Sequence, residues 1–313
     1  MNRINIAKKK GGKSNTHLSK MFTAPQIPQE YVMINTNSDN KEDISEVCVP
    51  DVYVPKICVV IRERLGNQLF EIISCWGYAK KHNMKLVLIE SYSKSYEKYY
   101  NKFFNKIELV DKLINFSIKQ YPMYESILNN NEIINSGNVL VYSYLQNANN
   151  FNEYRSEILD FFFNIKEIRE RNNKFFIHIR LTDFLVSPQH NIDLDSYYTK
   201  AIQYISSLEN FDFANTMFYI GSDDINLAKK KSYLSLLPKE NIIYIDNKEY
   251  DEIKTLELFQ DCCKGAIIGH STFGWWGAYI INCPEKVVVC PNRFLKRDYD
   301  FSGFYLDYKV IEV

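Results

Sequence analysis

The segment His178-Ile179-Arg180-Leu181-Thr182-Asp183-Phe184 sets three chemically capable side chains directly after an apolar run, Phe175-Phe176-Ile177. The run reads as a buried strand, so the polar residues fall at the carboxyl edge of a sheet, where open α/β proteins bind ligands. An arginine there suits a phosphate oxygen, because its planar fork donates two charge-assisted hydrogen bonds. A histidine and a carboxylate beside it could move a proton. The plainer alternative is a structural ion pair between Arg180 and Asp183 next to a satisfied histidine.

Two further strand ends carry polar residues, Ser222-Asp223-Asp224 and His270-Ser271-Thr272. In a parallel sheet all three ends converge on one edge. The last continues as Phe273-Gly274-Trp275-Trp276, a helix start. Free N–H groups and the positive end of the helix dipole make such a start an anion site, although Ser271 or Thr272 could be a simple N-cap. Together the three ends favour a nucleotide site. There is no Walker pattern, no GxGxxG, no GxSxG elbow and no spaced Asp-x-Asp pair in a strand context. Asp223 and Asp224 are adjacent, and adjacent strand residues point to opposite faces. That suits a single metal poorly. Phosphate neutralised by Arg180 and backbone donors, with no metal and no cofactor, fits better.

These residues need a scaffold, and the hydrophobic pattern supplies one. A strand over 57–61 is followed by the tight loop Arg64-Leu65-Gly66-Asn67-Gln68. Leu69, Ile72, Ile73 and Trp76 then recur at helical spacing, predicting an amphipathic helix over 67–81, and 86–89 is the next strand. That is a βαβ unit. A strand over 139–145 leads into Gln146 and a helix covers 152–163, while 91–138 yields no clear elements. A second series has strands at 174–179, 217–220, 241–245, 266–268 and 286–290. Helices at 198–205, 225–232, 252–263 and 274–281 separate them. The expected architecture is α/β, two doubly wound Rossmann-type domains facing a cleft. The N-terminal α/β domain, on the acceptor side, covers 56–165, and the C-terminal, nucleotide-binding domain covers 166–313. Residues 1–55, rich in Lys, Asn, Ser and Pro, read as a flexible extension.

Composition agrees with a globular enzyme: 46% hydrophobic, 15% aromatic and 24% charged over 313 residues. Basic and acidic residues balance at 38 each, which argues against nucleic acid as a partner. The seven cysteines show no CxxC and no recurring Cys/His spacing. They read as buried small hydrophobes in a reducing cytosol. No stretch approaches ~18 consecutive apolar residues, so no transmembrane anchor is expected, and a cytoplasmic location follows.

The order Leu65-Gly66-Asn67-Gln68-Leu69-Phe70, His178-x-Arg180-x-x-Asp183-Phe184, Ser222-Asp223-Asp224 and Ser271-Thr272-Phe273-Gly274-Trp275-Trp276 resembles the α-1,2-fucosyltransferases of glycosyltransferase family 11. Tyr144-x-Gln146 and Tyr197-Tyr198 also sit where that family has similar residues. The resemblance implies a GT-B-type fold and a metal-independent, inverting transfer of fucose from GDP-fucose to a glycan or glycolipid hydroxyl. It implies that Arg180 binds the β-phosphate and that His178 lies beside the nucleotide. Asp223 or Asp224 would recognise guanine, and Ser271, Thr272 and Phe273 would line the phosphate pocket. Gly66, Asn67 and Gln68 would reach across from the first domain. The family pattern has a second arginine where this chain has Leu181, which removes a positive charge expected near the diphosphate. Another nucleotide-sugar donor on the same fold therefore stays open, as does a silent nucleotide- or carbohydrate-binding protein. Asp183 is the candidate base or acceptor-orienting residue, with Glu63, Glu71 and His190 as further candidates.

Overall fold

Runs of Val, Ile, Leu and Phe without polar alternation are what a parallel sheet covered on both faces requires. In the computed structural model, which describes residues 53–313 and the short strand Met33–Ile34, these runs build two sheets. The first contains β1 (Lys56–Val59), β2 (Lys85–Ile89), β3 (Glu108–Val110), β4 (Phe116–Gln120) and β5 (Asn138–Tyr142). Its order is β3-β2-β1-β5-β4, parallel throughout.

The second sheet contains β6 (Lys174–Ile179), β7 (Met217–Ser222), β8 (Ile242–Tyr244), β9 (Gly265–Ile268), β10 (Val287–Pro291) and β11 (Lys309–Ile311). It too is parallel, in the order β8-β7-β6-β9-β10-β11. Counted from its own first strand that is 3-2-1-4-5-6, the doubly wound dinucleotide-binding order, whose ligand crevice opens where the order reverses. The reversal lies between β6 and β9. The register aligns the polar strand ends, with Ile268 opposite His178 and Ser222 opposite Ile179.

Six helices matter for the site: α1 (Leu65–Lys81), α2 (Arg155–Phe163), α3 (Thr182–Val186), α4 (Asp195–Ser206), α5 (Glu252–Asp261) and α6 (Thr272–Ile280). Helices α1 and α6 tie the two sheets together through aromatic packing. Phe70 of α1 lies 4.7 Å from the ring of Trp275 and 5.1 Å from that of Trp276, and Phe151 stacks on Trp276 at 5.3 Å. All four rings are fully buried, in one apolar core that spans both sheets. Burying large aromatic side chains contributes ~1.5–3 kcal/mol each, so this seam holds the two halves in register. Arg155 reinforces it by reaching from α2 to the carboxyl end of α6, donating to Tyr279 O at 2.9 Å and Ile281 O at 3.0 Å. Lys286 Nζ donates to Ala278 O and Ile281 O at the same end. Burial pushes this lysine down to about 7, with Arg155 adding to the effect.

Several expectations need correction. Helix α1 begins at Leu65, two residues early, and β5 ends at Tyr142, three residues short of the expected end, where Leu145 adopts φ +50°. The helix expected over 225–232 is a single turn, Ile225–Ala228, followed by a 3-10 turn at Ser232–Leu236. Strands β3, β4 and β11 were not anticipated; two of them have only three residues. Within the N-terminal extension, Met33–Ile34 pairs in parallel with Leu113–Ile114. The basic stretch 1–20 and the acidic cluster 39–46 lie outside the described residues. Cys263 and Cys283 are joined as a disulfide, contrary to the free thiols expected, while Cys58, Cys75, Cys262 and Cys290 are free and buried. Among the described residues no helix is long and apolar enough to cross a membrane.

Candidate active site

Strand β6 delivers His178 and Arg180 to the crevice, and α3 begins immediately after them. Arg180 is largely buried and held by two carboxylates, with Nη2 donating to Asp183 Oδ1 at 2.6 Å and Nη1 lying 3.2 Å from Asp223 Oδ2. Its guanidinium also stacks over the Phe184 ring at 5.3 Å. Asp223 holds the turn as well, accepting from the Leu181 N–H at 2.8 Å and from the Thr182 hydroxyl. The Leu181 side chain is buried in the second apolar core, on the α4 side of the sheet. At the position where the family pattern has a second arginine, this chain therefore turns its side chain into the core.

His178 is buried, and its Nδ1 has no partner among the described residues. Burial lowers it to about 4, against the opposing pull of Asp223, so it is a neutral imidazole at neutral pH. Beside it, Phe273 packs at 5.6 Å, and a Cβ on Gly274 would lie 2.7 Å from its Nδ1. Tyr198 OH donates to His178 O at 2.6 Å, and Tyr197 OH to Ile268 O and Val289 O. The tyrosine pair thus braces the strand ends from beneath. Ser222 Oγ bonds the Asp224 backbone, and Asp224 Oδ1 caps the following turn by accepting from the Leu227 N–H. Ser271 is the N-cap position of α6 but makes no side-chain cap, and its backbone carbonyl accepts from the Trp275 N–H.

The first domain meets this edge at α6. A Cβ on Gly66 would lie 2.6 Å from both Phe273 N and Thr272 Oγ1, so only glycine permits this approach. Thr272 Oγ1 donates to Asn67 Oδ1 at 2.9 Å, and Gln146 Nε2 donates to the same oxygen at 3.0 Å. Asn67 Nδ2 in turn donates to Glu63. Gln68 is fully buried, donating to Glu63 O and accepting from Tyr92 OH. Sequence reasoning therefore brought Gly66, Asn67, Thr272 and Phe273 together, whereas Gln68 is a buried support of the loop.

The carboxylates proposed as bases separate sharply. Asp183 is engaged by Arg180 and, at 3.4 Å, by Arg64, so taking a proton would disrupt both pairs. Glu71 is fully buried and accepts from the N–H and Nε of Arg62. Its burial raises its proton affinity well above the usual range, with Arg62 pulling it back. Glu63 is exposed, in a left-handed backbone (φ +61°), and accepts from Tyr144 OH at 2.5 Å. Arg62 stacks over Tyr144 at 3.8 Å. Arg62 and Arg64 were not singled out from sequence; their alternation around Glu63, directly before the glycine loop, was the available signal.

His190 and His270 form a second layer. His270 Nε2 donates to His190 O at 2.7 Å, and Phe184 packs against both rings, at 4.4 Å from His190 and 4.8 Å from His270. Burial lowers His270 to about 4. Burial also lowers His190, while the charges of Asp183 and Glu63 pull it up. A cavity of about 440 Å³ at the carboxyl end of α6 and another of about 680 Å³ behind α1 lie away from this cluster. Among the described residues no group of three His, Cys, Asp or Glu is placed to hold a metal ion.

Two parallel sheets, with an arginine at the switch point of the second, make an α/β fold of the GT-B type. Residues 142–300, just over half of the chain, match the profile of glycosyl transferase family 11, and the chain belongs to that family. It is 27% identical over 190 residues to the O-antigen biosynthesis glycosyltransferase WbnK of Escherichia coli, covering 55% of this chain and 60% of that protein. It is 25% identical over 175 residues to an alpha-1,2-colitosyltransferase of Escherichia coli, covering 52% and 58%. The chain thus spans about three fifths of the length of these curated relatives. Among solved structures, it is similar to the NodZ alpha-1,6-fucosyltransferase soaked with GDP-fucose, at 13% identity and a TM-score of 0.41, covering 72% of this chain and 93% of that one. It is also similar to a mutant FUT1 of Arabidopsis thaliana in complex with GDP, at 9% identity and a TM-score of 0.43, covering 77% and 71%.

Proposed function

We propose that this chain transfers fucose from GDP-fucose to a hydroxyl of a glycan or lipid-linked glycan, with inversion, forming an α-1,2 linkage without a metal ion. The observation that carries the reading is Arg180: a largely buried guanidinium, fixed by Asp183 and Asp223 at the switch point of a dinucleotide-type sheet. A charge held in place before the reaction stabilises a developing oxyanion without reorganisation. Here that oxyanion is the β-phosphate of leaving GDP. The N-terminus of α6, with Ser271, Thr272 and Phe273, adds backbone donors to the same diphosphate. His178, neutral and with Nδ1 unpartnered, lies beside the nucleotide. Asp223 is committed to the Arg180 turn, so guanine recognition falls to Asp224, one of whose oxygens has no described partner. Gly66 and Asn67 bring the acceptor domain to the donor.

Asp183 orients Arg180 in this scheme. A relative named as an O-antigen biosynthesis glycosyltransferase supports a glycan as acceptor. A second reading changes only the donor sugar, and it is favoured by the relative named as a colitosyltransferase. Mass spectrometry of products formed with GDP-fucose and a panel of galactose-ended acceptors, in excess EDTA, tests both. The proposal expects a fucosylated product in EDTA. Transfer only from another donor would support the second reading, and binding without transfer would support a silent protein.

A further inference from the structure

The proposed transfer needs a group to receive the acceptor's proton, and Asp183 is engaged by two arginines. His190 has no such commitment. It sits in the turn after α3, where its N–H bonds to Ser187 O and Gln189 O accepts from the Lys296 N–H. Ser187 Oγ lies 2.9 Å from its Nδ1, Phe184 stacks on its ring at 4.4 Å, and His270 holds its carbonyl at 2.7 Å. In the tautomer that donates Nδ1–H to Ser187 Oγ, Nε2 keeps its lone pair, and no described residue hydrogen-bonds it.

The bound on its distance from Arg180 is consistent with such a role. Phe184 is the spacer: the Arg180 guanidinium is 5.3 Å from its centroid and the His190 ring 4.4 Å, so the two groups are at most about 10 Å apart. A phosphate-binding group and a base must be separated by the leaving oxygen, the reacting carbon and the attacking oxygen, which needs about 10 Å with reacting atoms ~3–3.5 Å apart and a base within hydrogen-bond reach.

We propose that His190 is the general base of the transfer, its Nε2 taking the proton of the acceptor hydroxyl. The inference rests on the donor reading above. As the O–H bond breaks, its electron pair forms the new bond to the anomeric carbon. The bond from that carbon to the diphosphate breaks with its electron pair, leaving on the GDP oxygen that Arg180 binds. The proton stays on Nε2 until products depart. Asp183, in the first turn of α3, and Glu63, across from it on the first domain, favour the imidazolium as it forms. Of the other charged groups around it, Arg180 lies beyond Phe184, and His270, buried and neutral at neutral pH, meets its carbonyl.

The test is the pH dependence of kcat for wild type, H190Q and S187A, with GDP-fucose affinity measured on each. The proposal expects wild-type kcat to fall on the acid side. It expects H190Q to bind donor within about threefold of wild type yet lose roughly 10²–10⁴-fold in kcat, with the acid limb gone. S187A retains the imidazole, so it should fold and keep an acid limb displaced from that of wild type. H190Q turnover within threefold of wild type, a retained acid limb in H190Q, or an S187A profile superimposable on wild type would each overturn the base assignment while leaving the donor reading intact. Failure of the wild-type chain to bind GDP-fucose would overturn the donor reading, and the base assignment with it.

Discussion

Arg180 stands between Asp183 and Asp223, 2.6 Å from one carboxylate and 3.2 Å from the other. One partner comes from α3 and the other from the turn after β7, so the guanidinium is aimed before any ligand arrives. Substitution by alanine should remove roughly 3–4 kcal/mol of transition-state stabilisation, a loss of about 10²–10³-fold in kcat. Lysine should recover little, because a point charge cannot bridge two carboxylates and still present a fork to phosphate. Steady-state kinetics of both variants check this.

Asp183 separates an orienting role from a proton-transfer role. Its side chain is about half exposed, and exposed ion pairs are worth ~0–1 kcal/mol. Asp183→Asn keeps an acceptor for Arg180 and should cost no more than about tenfold in kcat, with the shape of the pH profile kept. A proton-transfer residue would cost ~10²–10⁴-fold, so a loss of that size would contradict the role assigned.

How far the sequence led can be read from these same residues. Apolar runs ending in polar residues located the strand ends of β6, β7 and β9, and parallel pairing brought them together as predicted. What stayed hidden depends on side-chain direction. Nothing in Asp223-Asp224 says which carboxylate turns toward Arg180, since that follows from the register of β7 against β6. Leu181 looked like a lost charge because sequence does not show that its side chain enters the core. The left-handed Glu63 and the Arg64–Asp183 pair join residues more than a hundred positions apart or defy backbone propensity. Strands β3 and β4 were missed because they are half-exposed and polar, and β3 has only three residues. The Cys263–Cys283 bond was missed because no framework spacing announces it.

Gly66 makes a close approach between the two domains. A methyl group there would meet Phe273 N and Thr272 Oγ1 at 2.6 Å and Thr272 C at 2.9 Å. Two of these are backbone atoms of α6, so the helices must separate. Gly66→Ala should destabilise by ~1–3 kcal/mol, lowering Tm by roughly 3–10 °C, and should raise KM for the donor. Calorimetric melting and kinetics check both.

Two buried histidines set the acid stability. His178 and His270 are each lowered to about 4 by burial, from 6.5. A depressed folded-state value means that the unfolded chain binds the proton more readily, so their contribution is complete above pH 6.5 and is lost as pH falls toward 4. Each accounts for on the order of 3 kcal/mol over that window. Denaturant midpoints should therefore fall steeply from pH 6.5 to 4, and H270Q should flatten that fall by about one proton.

Calorimetric titration of GDP, UDP, dTDP and CMP into the wild-type chain and into R180A addresses the central claim most directly. The account predicts selective binding of GDP, unchanged by EDTA, and weakened by at least tenfold in R180A. Preference for another nucleotide, or GDP affinity indifferent to the loss of Arg180, would contradict it.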